Sequence, residues 1–170
     1  MLIINVLIQE HSTIKKMIIF LNKWVNANDF SQKNKIIDFF KIYADKCHHG
    51  KEEKILFNAL KNKRLCKKDR LIFNELLQEH KFARKLIRKL TLCKKFDDSI
   101  IIVDELMALY IMHIDKENNH FFLPCLTYLD EREKSQILKK FEIADKKMKK
   151  EKIKYEKMVD KLIKDHLENL

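Results

Sequence analysis

Glycine and proline are almost absent from this chain. Its 170 residues contain one Gly and one Pro, whereas β proteins use many of both at the turns between strands. Long apolar runs are also absent, because no stretch approaches the roughly 20 residues that cross a bilayer. These absences exclude a β protein and a membrane-spanning protein, and they predict an all-α chain.

Paired cysteine motifs are missing as well. The four cysteines form no C-x-x-C pair, so neither a thiolate zinc site nor a thioredoxin-type motif is predicted, and we expect reduced thiols. The apolar N-terminus lacks the basic segment of a signal peptide and reaches Gln9 and Glu10 too early for one. The sequence therefore predicts a cytoplasmic protein with no membrane partner.

Positive charge is in excess, with 36 Lys and Arg against 25 Asp and Glu and a formal net charge of +11. Such a balance can indicate a nucleic-acid partner. Here both signs are mixed along the chain, and the abundant Lys, Ile and Asn suggest a compositional habit. The charge balance therefore does not favour nucleic acid as a partner.

Five helical segments are predicted from apolar residues that recur with the period of an α-helix. They cover approximately residues 3–26, 32–63, 68–94, 99–123 and 130–167, with capping residues such as Asp29 and Ser31 in the turns. Residues 1–129 are expected to form an antiparallel up-down four-helix bundle. Residues 130–170 are expected to form a long charged helix that packs on the bundle or on a partner, including a second copy of the chain.

The two helix-breaking residues fall within or beside predicted helices. Gly50 lies inside the second helix, where Gly costs about 1 kcal/mol relative to Ala. A close backbone approach near a metal would explain it, and simple tolerance is the alternative. Pro124 is expected to end or kink the fourth helix.

A His-x-x-x-Glu unit occurs twice, as His48 with Glu52 and as His113 with Glu117. Residues four apart lie on the same face of an α-helix, so each unit aims an imidazole and a carboxylate at one point. This is an arrangement suited to binding a metal ion.

Two further histidines, His11 and His80, lie on the first and third predicted helices. If successive helices are antiparallel, residues at one level are equidistant from the turn between them. The midpoints between successive members of the histidine set fall at positions 29–30, 65 and 97–98, all in predicted turns. The sequence therefore predicts that six ligands meet at one level inside the bundle: His11, His48, Glu52, His80, His113 and Glu117.

Six imidazole and carboxylate ligands are too many for one tetrahedral zinc ion, and they suit two ions. Mixed nitrogen and oxygen donors favour iron, with manganese and zinc as weaker fits. Without a metal, the same groups would be costly in an apolar core. We therefore expect two iron ions.

His49 follows His48 and lies about 100° further round an α-helix. This position favours a supporting contact over direct binding of the metal. A shift of the helix register by one residue would instead make His49 and Glu53 the ligand pair.

Three other residues are candidates for supporting roles. His120 lies one turn beyond Glu117, where it could bind a ligand residue or supply a fifth histidine, and the first role is favoured. Tyr110 is interpreted as a packing residue, with redox or proton delivery as the alternative. Glu79 precedes His80 and is either a solvated helix residue or a neighbour of the metal ligands.

Together these residues resemble the hemerythrin-like HHE cation-binding family. The resemblance covers approximately residues 5–127, through the spacing of the six ligands and two phrases: Ala-Asp-Lys-Cys-His-His-Gly-Lys-Glu-Glu-Lys-Ile-Leu-Phe and His-Ile-Asp-Lys-Glu-Asn. It implies a di-iron centre in which histidines are terminal ligands. Glu52 and Glu117 would bridge the ions beside an oxo or hydroxo group.

The resemblance also narrows the function. Oxygen-carrying hemerythrins have a fifth histidine in a His-x-x-x-His pair on the third helix, but Leu76 and Arg84 stand four residues from His80 here. The set is closer to the family's di-iron proteins of oxidative and nitrosative stress. It implies a protein that binds or reduces dioxygen, peroxide or nitric oxide. The alternatives are a sensor and an iron storage or donation module, including iron–sulfur cluster repair, so enzymatic turnover stays open.

Overall fold

A computed structural model describes residues 3–27 and 30–167, so part of the first predicted turn, including Asp29, lies outside the description. Within these ranges the chain forms helices and short turns and contains no strand, which confirms the all-α class. No helix in the described ranges is long and apolar enough to cross a membrane. The helices are α1 (Ile3–Ala27), α2 (33–60), α3 (Lys67–Leu92), α4 (96–126), α5 (Glu131–Lys147) and α6 (Lys149–Leu167).

Helices α1 to α4 form the predicted up-down bundle. The direction of α4 relative to α1 is visible at both ends of the pair. Trp24, near the end of α1, packs on Phe96 at the start of α4, with ring centroids 4.9 Å apart. His11, nearer the start of α1, meets Asn118 towards the end of α4 at 2.8 Å. The first and fourth helices are therefore antiparallel neighbours that close the bundle.

Two apolar clusters fill the interior and leave a polar layer between them. One cluster contains Trp24, Phe40 and Leu86, and the other contains Leu7 and Phe57. Along α1, α2 and α3 the predicted metal ligands fall between residues of the two clusters, and on α4 Glu117 does so while His113 lies next to the last residue of the first cluster. The packing thus places the ligands far from both ends of the bundle.

Wide π-helical turns occur in α2 and α4 at the level of this polar layer. They span Phe39–His49 and Glu52–Phe57 in α2 and Glu117–Phe121 in α4. Their hydrogen bonds reach five residues along the chain, so each turn holds more residues than an α-helical turn. The face that α2 and α4 bury therefore shifts along the sequence at the candidate site.

The shift changes which residues α2 buries near its C-terminal end. An α-helical period puts Ile55 and Ala59 on the buried face, but the structure leaves both partly exposed. Leu56, Phe57 and Leu60 are buried in their place, with at most 2 % of their surface exposed. Ile55 and Ala59 still pack against the second apolar cluster, but the π-helical turns place Leu56, Phe57 and Leu60 deeper in it.

Gly50 and Pro124 disturb their helices little. Gly50 has ordinary helical angles, φ −59° and ψ −37°. A Cβ atom there would meet the carbonyl oxygen of Asp45 at 3.7 Å, an ordinary van der Waals distance. The proposed close backbone approach is therefore wrong, and the glycine is tolerated. Pro124 lies inside the last turns of α4, which ends soon after it at Leu126.

The C-terminal segment packs along the outside of the bundle. The predicted long helix is divided at Met148, which has φ −103° and ψ 14°, into α5 and α6. Glu133 of α5 binds Lys63 just beyond α2 at 2.6 Å, and Glu156 of α6 accepts a hydrogen bond from Tyr43 of α2 at 3.1 Å. Both helices therefore run antiparallel to α2, and we refer to residues 131–167 as the C-terminal arm.

Candidate metal centre

The structure brings the six predicted ligands together in the polar layer. None of them exposes more than 3 % of its surface. His11 comes from α1, and His48 and Glu52 come from α2. His80 comes from α3, and His113 and Glu117 come from α4.

The metal-binding atoms fall into two groups, and within each group all of them lie within 4.8 Å of one another. Glu52 belongs to both groups. The first group is His11, His48, Glu52 and Glu117, and the second is His49, Glu52, His80 and His113. The arrangement can hold two metal ions side by side.

Glu52 spans the two groups through its two oxygens. Its Oε1 lies 3.3 Å from His48 Nε2, and its Oε2 lies 3.4 Å from His80 Nε2. Glu52 could therefore help to hold a metal ion in either group.

Glu117 reaches histidines of both groups through a single oxygen, since its Oε2 lies 3.1 Å from His11 Nε2 and 3.3 Å from His113 Nε2. Neither oxygen of Glu117 or of Glu52 has a hydrogen-bond partner, although both side chains are fully buried. Buried carboxylates without such partners are costly. Cations between the carboxylates and the imidazoles would remove that cost, so these residues fit a metal pair.

The histidines turn their Nε2 atoms toward one another. Nε2 of His11 lies 3.0 Å from Nε2 of His48, and Nε2 of His80 lies 3.2 Å from Nε2 of His113. A metal ion binds the lone pair of an imidazole nitrogen. Converging nitrogens at these distances are therefore expected around an ion in each group.

The other ring nitrogen of these four histidines faces an oxygen atom outside the groups. The Nδ1 contacts are His11 to Asn118 at 2.8 Å, His48 to Glu10 at 3.2 Å, His80 to Glu53 at 2.8 Å and His113 to Glu79 at 2.8 Å. Because these oxygens can accept a hydrogen bond from each Nδ1, each Nε2 is the nitrogen that faces the metal-binding group and would bind a metal ion once it is deprotonated. Histidines that bind metals in proteins are held in this way.

Two of these supporting residues, Glu10 and Asn118, were not predicted from the sequence as part of the site, and Glu53 was considered only as an alternative metal ligand. Glu10, Glu53 and Asn118 each stand directly beside a predicted ligand in the chain. That adjacency is a weak signal, because polar residues beside a buried one usually face solvent. The fourth, Glu79, was a candidate, and the structure places its carboxylate on His113.

His49 joins the second group directly. Its side chain is buried and neither ring nitrogen has a hydrogen-bond partner. Burial, together with the nearby charges of His80 and His48, lowers the pKa of His49 well below its usual value, so the ring is neutral as a metal ligand must be. The long π-helical segment explains why two consecutive histidines both face the interior.

The structure places the two neighbouring glutamates of α2 differently. Glu52 is fully buried between the groups, whereas Glu53 lies outside them and binds both His80 and Arg84. Neither of the two predicted registers describes this arrangement, since His48 and His49 both point inward while only the first of the two glutamates does.

The remaining two candidates are placed differently. Tyr110 is buried and packs near His49 and Phe40, with ring centroids 6.0 and 5.0 Å away. Its burial raises the pKa of the hydroxyl, which therefore stays protonated. His120 is exposed, and the π-helical turn Glu117–Phe121 explains why the structure does not bring it to the groups.

Protonation compensates the charges of the metal-free centre. Burial alone would lower the pKa of His80, but its contacts with Glu52 and Glu53 raise the pKa to about 9. Burial also opposes protonation of His11, but its contact with Glu117 raises the pKa of that ring. Binding a metal would therefore displace protons from these imidazoles.

A cavity of about 320 Å³ lies beside the second group. His49 and Tyr110 form part of its wall, together with the apolar Phe40 and Ala83. Arg84 also lines it and is held by Asp45 and Glu53, each at 2.7 Å. One imidazole thus separates the centre from a space large enough for a small molecule.

The geometry agrees with a comparison of the sequence with known families. Residues 2–123 match the family described as Hemerythrin HHE cation binding domain. No curated protein and no solved structure matches the chain significantly. The matched region contains every residue of the two metal-binding groups and most of the bundle. This chain is therefore a member of the hemerythrin HHE cation-binding domain family.

Proposed function

We propose that this protein is a non-haem di-iron protein that binds or reduces a small oxidant, namely dioxygen, peroxide or nitric oxide. The orientation of the imidazoles carries the proposal. Four histidines present Nε2 to the interior and bind an outer oxygen through Nδ1, around two buried carboxylates that lack hydrogen bonds.

The ligands support two unequal metal positions. His49, His80 and His113 would hold one ion, and His11 and His48 would hold the other. Glu52 and Glu117 would be shared between the two ions. The position with fewer protein ligands would leave room for an external ligand. An iron pair bound there would supply an open coordination position and exchangeable electrons.

The chain's own residues would shape that chemistry. Glu10, Glu53 and Glu79 accept hydrogen bonds from Nδ1 atoms, which orients the imidazoles and raises their basicity. The apolar clusters on both sides of the polar layer exclude bulk water. The cavity beside His49 adjoins the three-histidine position, so it would hold a small molecule near the metal pair but on the side away from the position with fewer protein ligands.

A role in the response to oxidative or nitrosative stress in the cytoplasm is part of the proposal. All four cysteines are free thiols, which supports a reducing compartment. Iron is preferred over manganese and zinc because the donors mix imidazole and carboxylate.

A sensor without turnover is the second candidate, and contacts between the C-terminal arm and Glu10 favour it. Lys152 of the arm lies 2.7 Å from Glu10 Oε1. The same ligands would also suit iron storage or donation, including iron–sulfur cluster repair. Catalytic turnover separates the first proposal from both alternatives.

The test is to express the protein in iron-supplemented cells and to measure its metal content by mass spectrometry and its visible spectrum. We expect about two irons per chain and near-ultraviolet bands that bleach on reduction. The rates of re-oxidation by oxygen, peroxide and nitric oxide would then identify the oxidant. Zinc alone, or no metal in a folded protein, would contradict the proposal.

Matched variants sharpen the test. Glu52→Gln should lose iron at both positions, because Glu52 belongs to both groups. Glu131→Gln removes an exposed carboxylate from the start of α5 and should leave the iron content unchanged.

A further inference from the structure

Four charged side chains from four helices form a closed network behind His48. They are Glu10 of α1, Lys51 of α2, Asp145 of α5 and Lys152 of α6. Glu10 and Lys51 expose only 1 % and 2 % of their surface. The network pairs two carboxylates with two ammonium groups, so its formal charges balance.

Each ammonium group binds both carboxylates. Lys51 Nζ contacts Glu10 Oε1 and lies 2.5 Å from Asp145 Oδ1. Lys152 Nζ lies 2.7 Å from Glu10 Oε1 and 3.3 Å from Asp145 Oδ1. Both lysines thus hold Oε1 of Glu10, whose Oε2 lies 3.2 Å from His48 Nδ1.

The arm supplies half of this network from outside the region that matches the family. Asp145 and Lys152 stand on either side of the break at Met148 and lie beyond residues 2–123, the part that matches the family. All residues of the two metal-binding groups come from α1 to α4. The arm therefore adds charged groups to the surroundings of a centre that it does not itself form.

The arm is also attached by apolar side chains. Phe141, Tyr155 and Val159 of the arm are buried in the two apolar clusters, with at most 2 % of their surface exposed. Buried ion pairs generally contribute less stability than apolar side chains of similar volume. A role in positioning Glu10 accounts for the network better than a role in holding the arm.

We propose that Asp145 and Lys152 are positioning residues that act through Glu10 on His48 and so couple docking of the arm to metal occupancy. The inference rests on the metal-binding function proposed above. Glu10 sets the direction of the His48 ring, and fixing its carboxylate favours the orientation that binds metal. Because such coupling is reciprocal, bound metal in turn favours the docked arm.

A second ion pair between the arm and α1 provides a matched control. Lys16 Nζ lies 2.6 Å from Asp160 Oδ1, and the two side chains are 49 % and 61 % exposed. This pair joins the same two helices, α1 and α6, but contacts none of the metal-binding groups. Removing it changes the charge of the arm without changing Glu10.

The experiment is hydrogen exchange of the full chain, followed by mass spectrometry, with and without excess ferrous iron under anaerobic conditions. Iron should slow exchange in residues 131–167 by about tenfold. Lys152→Met and Asp145→Asn should largely abolish this slowing and weaken iron binding by about threefold to tenfold. Asp160→Asn should behave as the wild type, and Lys152→Arg, which keeps the charge, should retain most of the coupling.

The outcomes separate this inference from the proposed function. If the wild type binds iron but exchange in the arm does not change, the coupling is disproved while the metal centre stands. An equal loss of coupling in Asp160→Asn would also overturn it, because the effect would then follow from the charge of the arm alone. If the folded wild type binds no metal, the proposed function fails and the inference fails with it.

Discussion

His49 stacks on His80, with ring centroids 3.8 Å apart and 17° between the ring planes. The third helix has Leu76 and Arg84 four residues on either side of His80, where oxygen-carrying hemerythrins place an additional histidine. In the structure a histidine from α2 reaches the same group instead. His49 thus lies where it could bind a metal ion held by the second group.

Replacing His49 tests whether this residue of α2 is a metal ligand. We expect His49→Ala to lower the iron content from about two per chain toward one, because one metal position loses a ligand. His120→Ala removes an exposed histidine and is the control. Metal analysis of both purified variants decides the matter, and an unchanged iron content in His49→Ala would show that His49 is not a ligand.

The supporting carboxylates offer a second prediction. Glu75 and Glu79 both bind Lys116, at 2.8 and 2.5 Å, but of these two only Glu79 also binds His113. Glu79→Gln should therefore weaken metal binding by roughly tenfold to a hundredfold. Glu75→Gln should leave it nearly unchanged. Metal titration with a competing chelator measures both affinities, and equal effects would contradict the role given to Glu79.

The stability of the metal-free protein should depend on pH. The pKa of His80 is raised from 6.5 to about 9 by Glu52 and Glu53 against the effect of burial. Its contribution to the free energy of unfolding is complete below pH 6.5 and is lost as the pH rises through about 9.

Urea unfolding in the presence of a chelator should therefore show decreasing stability from neutral to alkaline pH. His80→Gln should flatten the decrease, since the titrating group is gone. A wild-type profile that rises over this interval would contradict the assignment.

Gly50→Ala should stabilise the protein by about 0.5–1 kcal/mol, because alanine restricts the unfolded chain and suits helical angles. The neighbouring space accepts a methyl group, since the nearest atom lies 3.7 Å from the Cβ position. The free energy of unfolding of the metal-free variant measures the gain. A loss of stability would mean that the backbone at Gly50 must move. The reference variant is Lys46→Ala, at an exposed site of α2.

The arrangement of the bundle could be predicted because its signals are local. Apolar periods indicate each helix, and antiparallel packing then requires ligands at one level to be equidistant from the turns. His11, His48, His80 and His113 satisfy that requirement, and the structure brings them together. Whether they bind iron stays a prediction.

The rest depends on contacts between distant parts of the chain. Nothing near Met148 predicts a break, because methionine and its lysine neighbours are good helix formers. The network of Glu10, Lys51, Asp145 and Lys152 exists only once the arm has docked. The inward position of His49 likewise requires π-helical turns, which no local signal in α2 announces.

Those turns also set a limit on how the chain can change in length. The wide turns of α2 rotate its last residues about the helix axis relative to where an α-helix of the same length would place them. The apolar contacts at both ends of α2 depend on that rotation. Deleting one residue between Phe39 and Phe57 would rotate Leu60 away from the interior or pull His49 out of its group. We therefore expect α2 to tolerate substitutions on its outer face but not insertions or deletions.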